Sequence, residues 1–272
     1  MKKTVLFAAL VAMLSATTAV APASWGSGSG SGSGPGDRAG ESEARTCVAR
    51  ALMFCEDFAG LRPGEAHGRG WTTDAANGTL TIERDATHHS KHLRIRTEGN
   101  GRAFLEIRNL TPPGNSFWGR VRLRVDAFPT APDWAHWTIV EATGEGPGYV
   151  RPLGGQYVPG VGENLWGAGS DGGPTGDWTA WHESAPARAG TWQCVEWRMD
   201  ASDNKISLWI DGEAKPELAV STHHHGGLDT DFVFPRFDTL KIGWQLYQGS
   251  PSPSSYDARM DDIALDGTRL GC

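Results

Sequence analysis

The chain has 272 residues, 39% of them hydrophobic, and a formal net charge of -7. That is enough apolar material for one sizeable core. The acidic balance argues against nucleic acid or an anionic membrane as a partner, and no later stretch approaches the roughly 18 apolar residues of a membrane-inserting helix.

Residues 1–23 begin with Lys2-Lys3, continue through an apolar run from Val5 to Leu14 and end on Ala21-Pro22-Ala23. This is the pattern of a Sec-type signal peptide and predicts a secreted, extracellular protein. The segment contains no acid, so losing Lys2 and Lys3 would take the charge from -7 to -9. Residues 24–46 read as a flexible linker, nearly all Gly and Ser from Trp25 to Gly36, because such a sequence cannot bury enough apolar area to offset its ordering entropy. Residues 47–272 are left for the folded domain.

Within that domain helical periodicity of useful length is absent. Short alternating segments separated by Gly, Pro, Asn and Asp predict an all-β chain. Strands are expected at Phe54–Phe58, Leu80–Glu83, Leu93–Thr97 and Ala103–Arg108. Residues 118–125 have the cleanest alternation, with Val121, Leu123 and Val125 inward and Arg120, Arg122 and Arg124 in water. Strands at 134–141 and 148–153 follow. Residues 154–189 read as a long Gly-rich loop carrying Trp166, Trp178 and Trp181, and loops of that length are usually functional or disordered.

Residues 190–212, GTWQCVEWRMDASDNKISLWIDG, predict a hairpin: one alternating strand, a turn at Asp203-Asn204, a second strand, and a turn at Asp211-Gly212. A loop with His223-His224-His225, a strand at 239–247 and a final strand at 259–265 complete the chain. Four cysteines in an exported chain suggest disulfides. Three pairings are open; we expect Cys47–Cys55, a local clip, and Cys194–Cys272, which would pin the last residue to the hairpin.

The hairpin resembles the G-x-W-x-x-V-x-W... I-x-x-W-x-D-G hairpin of secreted concanavalin A-like jelly rolls, a group that includes laminin-G-like domains and jelly-roll polysaccharide lyases. The opening CEDF, the segment HHSKHLRI and the closing MDDIALDGTRLGC resemble the edge strands and corner of carbohydrate-binding members. The resemblance implies an antiparallel two-sheet β-sandwich of jelly-roll type that meets a polysaccharide or surface glycan as a monomer. It also implies a structural Ca²⁺ between the first and last strands. Glu56, Asp57, Asp261 and Asp262 supply hard oxygen ligands of the kind that ion takes, with carbonyls near Ser90 completing the shell. Two positions depart from the pattern: Ala59 stands where an acid is common and Lys91 where Gly is common.

Members of this class carry ligands on the outer face of one sheet. Parity puts Trp137, Ile139, Ile242, Trp244 and Leu246 in the core, leaving Trp134, His136, Thr138, Lys241, Gly243, Gln245 and Tyr247 outside. With Arg151 and Gln156 on an intervening segment, His136, Arg151, Lys241, Gln245 and Tyr247 form a set suited to β-elimination of a uronic acid. That reaction needs cations or amides against the carboxylate, a base for the C5 proton and an acid for the leaving oxygen. The R-x-E-x-R and Y-x-K-x-G-x-Y strands of jelly-roll lyases are absent, so a non-catalytic carbohydrate-binding or laminin-G-like adhesion module is the alternative. Glycoside hydrolysis has weaker support, Glu141 and Glu145 being the nearest approach to a carboxyl pair.

Twelve Trp against four Tyr suit stacking on sugar rings. Trp134, Trp166, Trp178 and Trp181 are the expected stacking residues, with Gln156, Tyr157 and His182 beside them. His223, His224 and His225 would need Asp229 or Asp231 to hold a metal, and a His-rich loop is the simpler reading, as it is for His88, His89 and His92.

Overall fold

The computed structural model describes Cys47 and residues 52–85, 90–146, 148–246 and 248–272. The expectations for residues 1–23 and 24–46, and for His88, His89 and Tyr247, lie outside the described residues. The strands are β1 (Phe54–Glu56), β2 (Gly64–Glu65), β3 (Thr72–Arg84), β4 (Lys91–Arg108), β5 (Phe117–Val125), β6 (His136–Gly144) and β7 (Tyr149–Val158). They continue with β8 (Glu163–Asp171), β9 (Trp178–Pro186), β10 (Gln193–Asp200), β11 (Lys205–Ile210), β12 (Glu213–Ala214), β13 (Phe237–Leu246) and β14 (Ser255–Asp266). Among the described residues no helix is long and apolar enough to cross a membrane.

All pairings are antiparallel and join one continuous path, β12-β11-β10-β5-β14-β4-β13-β6-β7-β8-β9, with β1 on β14, and β3 on β4 carrying β2. The sheet curls until β10 and β11 pack against β7, which makes it the expected jelly-roll sandwich. The hairpin forms as read: β10 and β11 pair from Val195–Ile210 to Asp200–Lys205. Asp211 and Gly212 both have positive φ, 51° and 82°, the two-residue turn whose twist matches the flanking strands.

The core is a single cluster in which tryptophan dominates, with Trp137, Trp166, Trp197 and Trp244 essentially sealed from water. Phe128 lies 4.7 Å from the Trp137 ring, and Trp137 stacks on Trp244 at 5.8 Å and 11°. Buried indoles still need a partner for the N–H. Trp137 finds one, donating to Asn164 Oδ1 at 3.0 Å, while Asn164 donates to Pro129 O at 2.7 Å.

The parities expected for β5, β6 and β13 all hold on the core side. Arg120 departs from expectation: it is buried, donating to Gly271 O at 3.1 Å, because the C-terminal segment folds over it. Both expected disulfides form, Cys47–Cys55 and Cys194–Cys272, and among the described residues no cysteine is free.

The principal correction concerns residues 154–189. They are not a loop but the end of β7 with β8 and β9, three consecutive antiparallel strands. Their glycines are packing features rather than loop markers. At Gly155 a Cβ would come within 2.2 Å of Leu165 O and 2.5 Å of the Trp137 ring.

Candidate functional site

The outer face of β4, β13, β6 and β7 collects most of the polar residues singled out in the sequence. His136 lies opposite Gln156, and Thr138 lies between Gly154 on one side and Gln245 on the other, with Arg102 beyond Gln245. Directly opposed residues place their Cβ atoms about 5 Å apart, so these groups form one continuous strip. Gly155 and Trp137 point the other way, into the core, which fixes the outward direction of Gln156 and His136. Thr138 is fully buried in the floor, and its hydroxyl has no hydrogen-bond partner among the described residues.

Lys241 lies on the same face, opposite Glu141 on β6 and Glu106 on β4. Its ammonium is 3.2 Å from Glu141 Oε1 and 3.1 Å from Asp74 Oδ2, and Arg102 donates to Asp74 at 3.2 Å. Burial acts most strongly on both acids, with opposite outcomes. At Asp74 the bonds from Arg102 and Lys241 outweigh it and hold the carboxyl below its usual range. At Glu141, more deeply buried, it prevails over Lys241 and lifts the carboxyl.

His136 and Arg151 are brought together, through a residue that the sequence did not flag. Asp177 Oδ2 lies 2.9 Å from His136 Nε2, and its Oδ1 accepts from Arg151 Nη2 at 3.1 Å. The same guanidinium nitrogen donates to Trp178 O at 2.6 Å, Thr179 Oγ1 at 3.0 Å and Ser170 O at 3.2 Å. Arg151 is only 1% exposed. Its expected role of touching a substrate carboxylate is therefore corrected: β8 and β9 cover it, and it holds Asp177 from below. Burial opposes the charge of Asp177, but the hydrogen bond with His136 and the charges of His136 and Arg151 keep its carboxyl below the usual range.

Of the aromatic candidates, Trp134 is half exposed and lies 6.3 Å from the half-buried Trp181, the two forming a tilted pair at the β6 end of the strip. Trp166 and Trp178 do not belong with them. Trp166 is in the core against Trp137 at 5.0 Å, and Trp178 is buried against His225 and Phe232, so neither offers a ring face. Tyr157 alternates with Gln156 and packs on the core side. His182 is exposed on β9, bonded to Ser184, which in turn bonds Glu217.

The acids expected to hold Ca²⁺ lie at the β1–β14 junction. Glu56 accepts from Phe58 N and from Trp71 Nε1, both at 2.9 Å. Asp261 accepts from Asp262 N at 2.8 Å, and burial, with the charges of Asp262 and Asp57 behind it, pushes its carboxyl up to about 7. Lys91, next to Ser90, donates to Ala59 O at 2.7 Å and to Leu61 O at 2.6 Å. Among the described residues no three His, Cys, Asp or Glu side chains form a group that could hold a metal ion. The His223–His225 loop is held by its own contacts, His223 with Asp231 at 3.0 Å and His225 with Thr230 O at 2.9 Å.

No protein-family profile and no curated protein matches the chain. Among solved structures it is similar to one described as "Cellulose induced protein, Cip1", with a TM-score of 0.59 and 20% identity over 80% of this chain and 99% of that one. An endo-1,3-beta-glucanase from Streptomyces sioyaensis gives a TM-score of 0.47 at 12% identity, covering 79% of this chain and 95% of that one. A protein described as a sialidase gives 0.48 at 11%, covering 80% of this chain and 19% of that one. The likeness to the first is one of fold.

Proposed function

We propose that the protein is a secreted, carbohydrate-active jelly roll, polysaccharide lyase-like, that acts on a uronic-acid polymer along the strip of β4, β13, β6 and β7. The observation that carries the reading is the alignment of His136 with Gln156, and of Thr138 with Gln245, on neighbouring strands beside the Trp134–Trp181 pair. In this reading the two indoles stack on sugar rings while Gln245 meets the uronate carboxylate, and Lys241, held between Glu141 and Asp74, lies further along the same strip. His136 takes the C5 proton, the freed electron pair forms the C4–C5 double bond as the C4–O bond breaks, and Tyr247 returns a proton to the leaving oxygen. Arg151 acts at one remove, through Asp177.

Two disulfides suit an oxidising compartment, and the signal peptide, the monomeric state and the lack of nucleic-acid partners belong to the same proposal. So does a structural Ca²⁺ at Glu56, Asp57, Asp261, Asp262 and the Ser90 carbonyl region. The support for it is the crowding of carboxylates that raises Asp261. Lys91, already on two carbonyls there, would compete with it.

The burial of Arg151 favours a second reading, a non-catalytic glycan-binding module. The two are separated by incubating the protein with a panel of uronic-acid polysaccharides and following ultraviolet absorbance of the unsaturated product. Product formation abolished by His136→Ala establishes the lyase. Retention on insoluble glycan without product, weakened by Trp134→Ala, establishes the binding module and refutes the lyase.

A further inference from the structure

We propose that Asp177 is a positioning residue that fixes the proton of His136 on Nε2 and so assigns the basic lone pair of the site to Nδ1. The inference rests on the reading of His136 as the base. A neutral imidazole carries one donor and one acceptor nitrogen, and the partners decide which is which. Here Nε2 faces Asp177 Oδ2 at 2.9 Å, and a carboxylate held ionised can only accept. Nδ1 faces the Gln248 amide nitrogen at 3.0 Å, a donor, with Trp134 O further off at 3.3 Å. The Gln248 nitrogen also lies 3.3 Å from Nε2, and Trp134 O accepts only, but the shorter contact at each nitrogen, Asp177 at Nε2 and Gln248 at Nδ1, favours the same tautomer.

Asp177 can do this because it is held in turn. It ends the glycine-rich turn 172–177, in which Gly172, Gly173 and Gly176 all have positive φ. That turn is tied back by Ser170, whose hydroxyl lies 3.1 Å from Thr175 Oγ1 and donates to Gly176 O at 3.1 Å. Arg151, sealed beneath β8 and β9, supplies a cation on the far side of the carboxylate. Among the described residues, Asp177, from the turn before β9, bonds His136 directly and Arg151, from β7, bonds the other oxygen of Asp177, while Gln248, just beyond β13, adds a neutral donor. Binding of a sugar would move the Gln248 amide from Nδ1 and uncover the lone pair, with the orientation of the ring already set.

The test is nitrogen-15 NMR of the imidazole in the intact protein, with the His136 signals identified by their loss in His136→Gln. In the wild type the neutral ring is expected to carry its proton on Nε2, and in Asp177→Ala to become a mixture of tautomers. A wild-type proton on Nδ1 overturns the proposal, as does an unchanged tautomer in a folded Asp177→Ala protein. If that variant does not fold, the wild-type tautomer and the isosteric Asp177→Asn, whose amide can present a donor to Nε2 and shift the proton to Nδ1, decide the question. On a polymer that is turned over, Asp177→Ala should lower kcat at least about tenfold and leave KM within about twofold. A change in KM alone would make Asp177 a substrate contact and overturn the proposal. Absence of turnover in the wild type would end the lyase reading and leave the NMR result standing by itself.

Discussion

Replacing Asp261 by Asn should make the protein more stable above neutral pH and leave it nearly unchanged in acid. Asp261 lies where β1 meets β14, and burial together with Asp262 and Asp57 pushes its carboxyl from 3.8 up to about 7. A carboxyl raised in this way binds its proton more tightly in the folded chain than in the unfolded one. The stability it contributes is fully present below about pH 4 and is lost as the pH rises through about 7. Three pH units at about 1.36 kcal/mol each set a ceiling of about 4 kcal/mol. For a domain of this size that corresponds to roughly 8–16 °C in Tm. Asn retains the oxygen that accepts the Asp262 N–H and removes the charge.

The assay is thermal unfolding of wild type and Asp261→Asn at about pH 4 and pH 8, with divalent ions chelated. The two proteins should agree in acid and diverge at pH 8, the variant melting higher. A difference that is the same at both pH values would refute the reasoning. Calcium added at pH 8 should raise the wild-type Tm more than that of the variant if the ion binds among these acids; no differential effect would count against it.

Lys241→Met should destabilise the fold by about 2–4 kcal/mol, because it leaves Glu141 buried and Asp74 short of one cation; urea unfolding would show it, and a change under 0.5 kcal/mol would mean that the network contributes nothing net. Gly155→Ala should cost about 2 kcal/mol or more by forcing a methyl group against Leu165 O and the Trp137 ring, and an unchanged Tm would show that β7 and β8 part more readily than their packing suggests.

Alternation made the strand faces legible in advance. Ile242, Trp244 and Leu246 in β13, and Val121, Leu123 and Val125 in β5, each repeat every second residue, and a one-residue slip would have turned all of them to solvent. The same logic gave the outward direction of His136 and Gln245. It failed for residues 154–189, where glycine density reads as a loop. At Gly154, Gly167 and Gly169 a Cβ would lie within 2.6, 2.3 and 2.1 Å of a backbone oxygen on a neighbouring strand, and sequence does not reveal a neighbour's carbonyl.

Trp166, Trp178 and Arg151 read as exposed for the same reason, since strands that look like a loop in the sequence do not show that they cover them. Asp177 left no signal at all. It lies 41 residues from His136 and 26 from Arg151, and only the pairing of β6 with β7, β7 with β8 and β8 with β9 brings the three into contact.

The position of β14 constrains how this protein can be made. The strand stands between β4 and β5, and Arg94 reaches across 163 residues to Asp257. Until residues 255–266 emerge, no strand pairing joins the β10–β5 side of the sheet to the β4–β13 side, and only face-to-face packing can hold them together. Acquisition of the native form must therefore wait for nearly all of the 272 residues and then proceed through long-range pairings, which are slow to form.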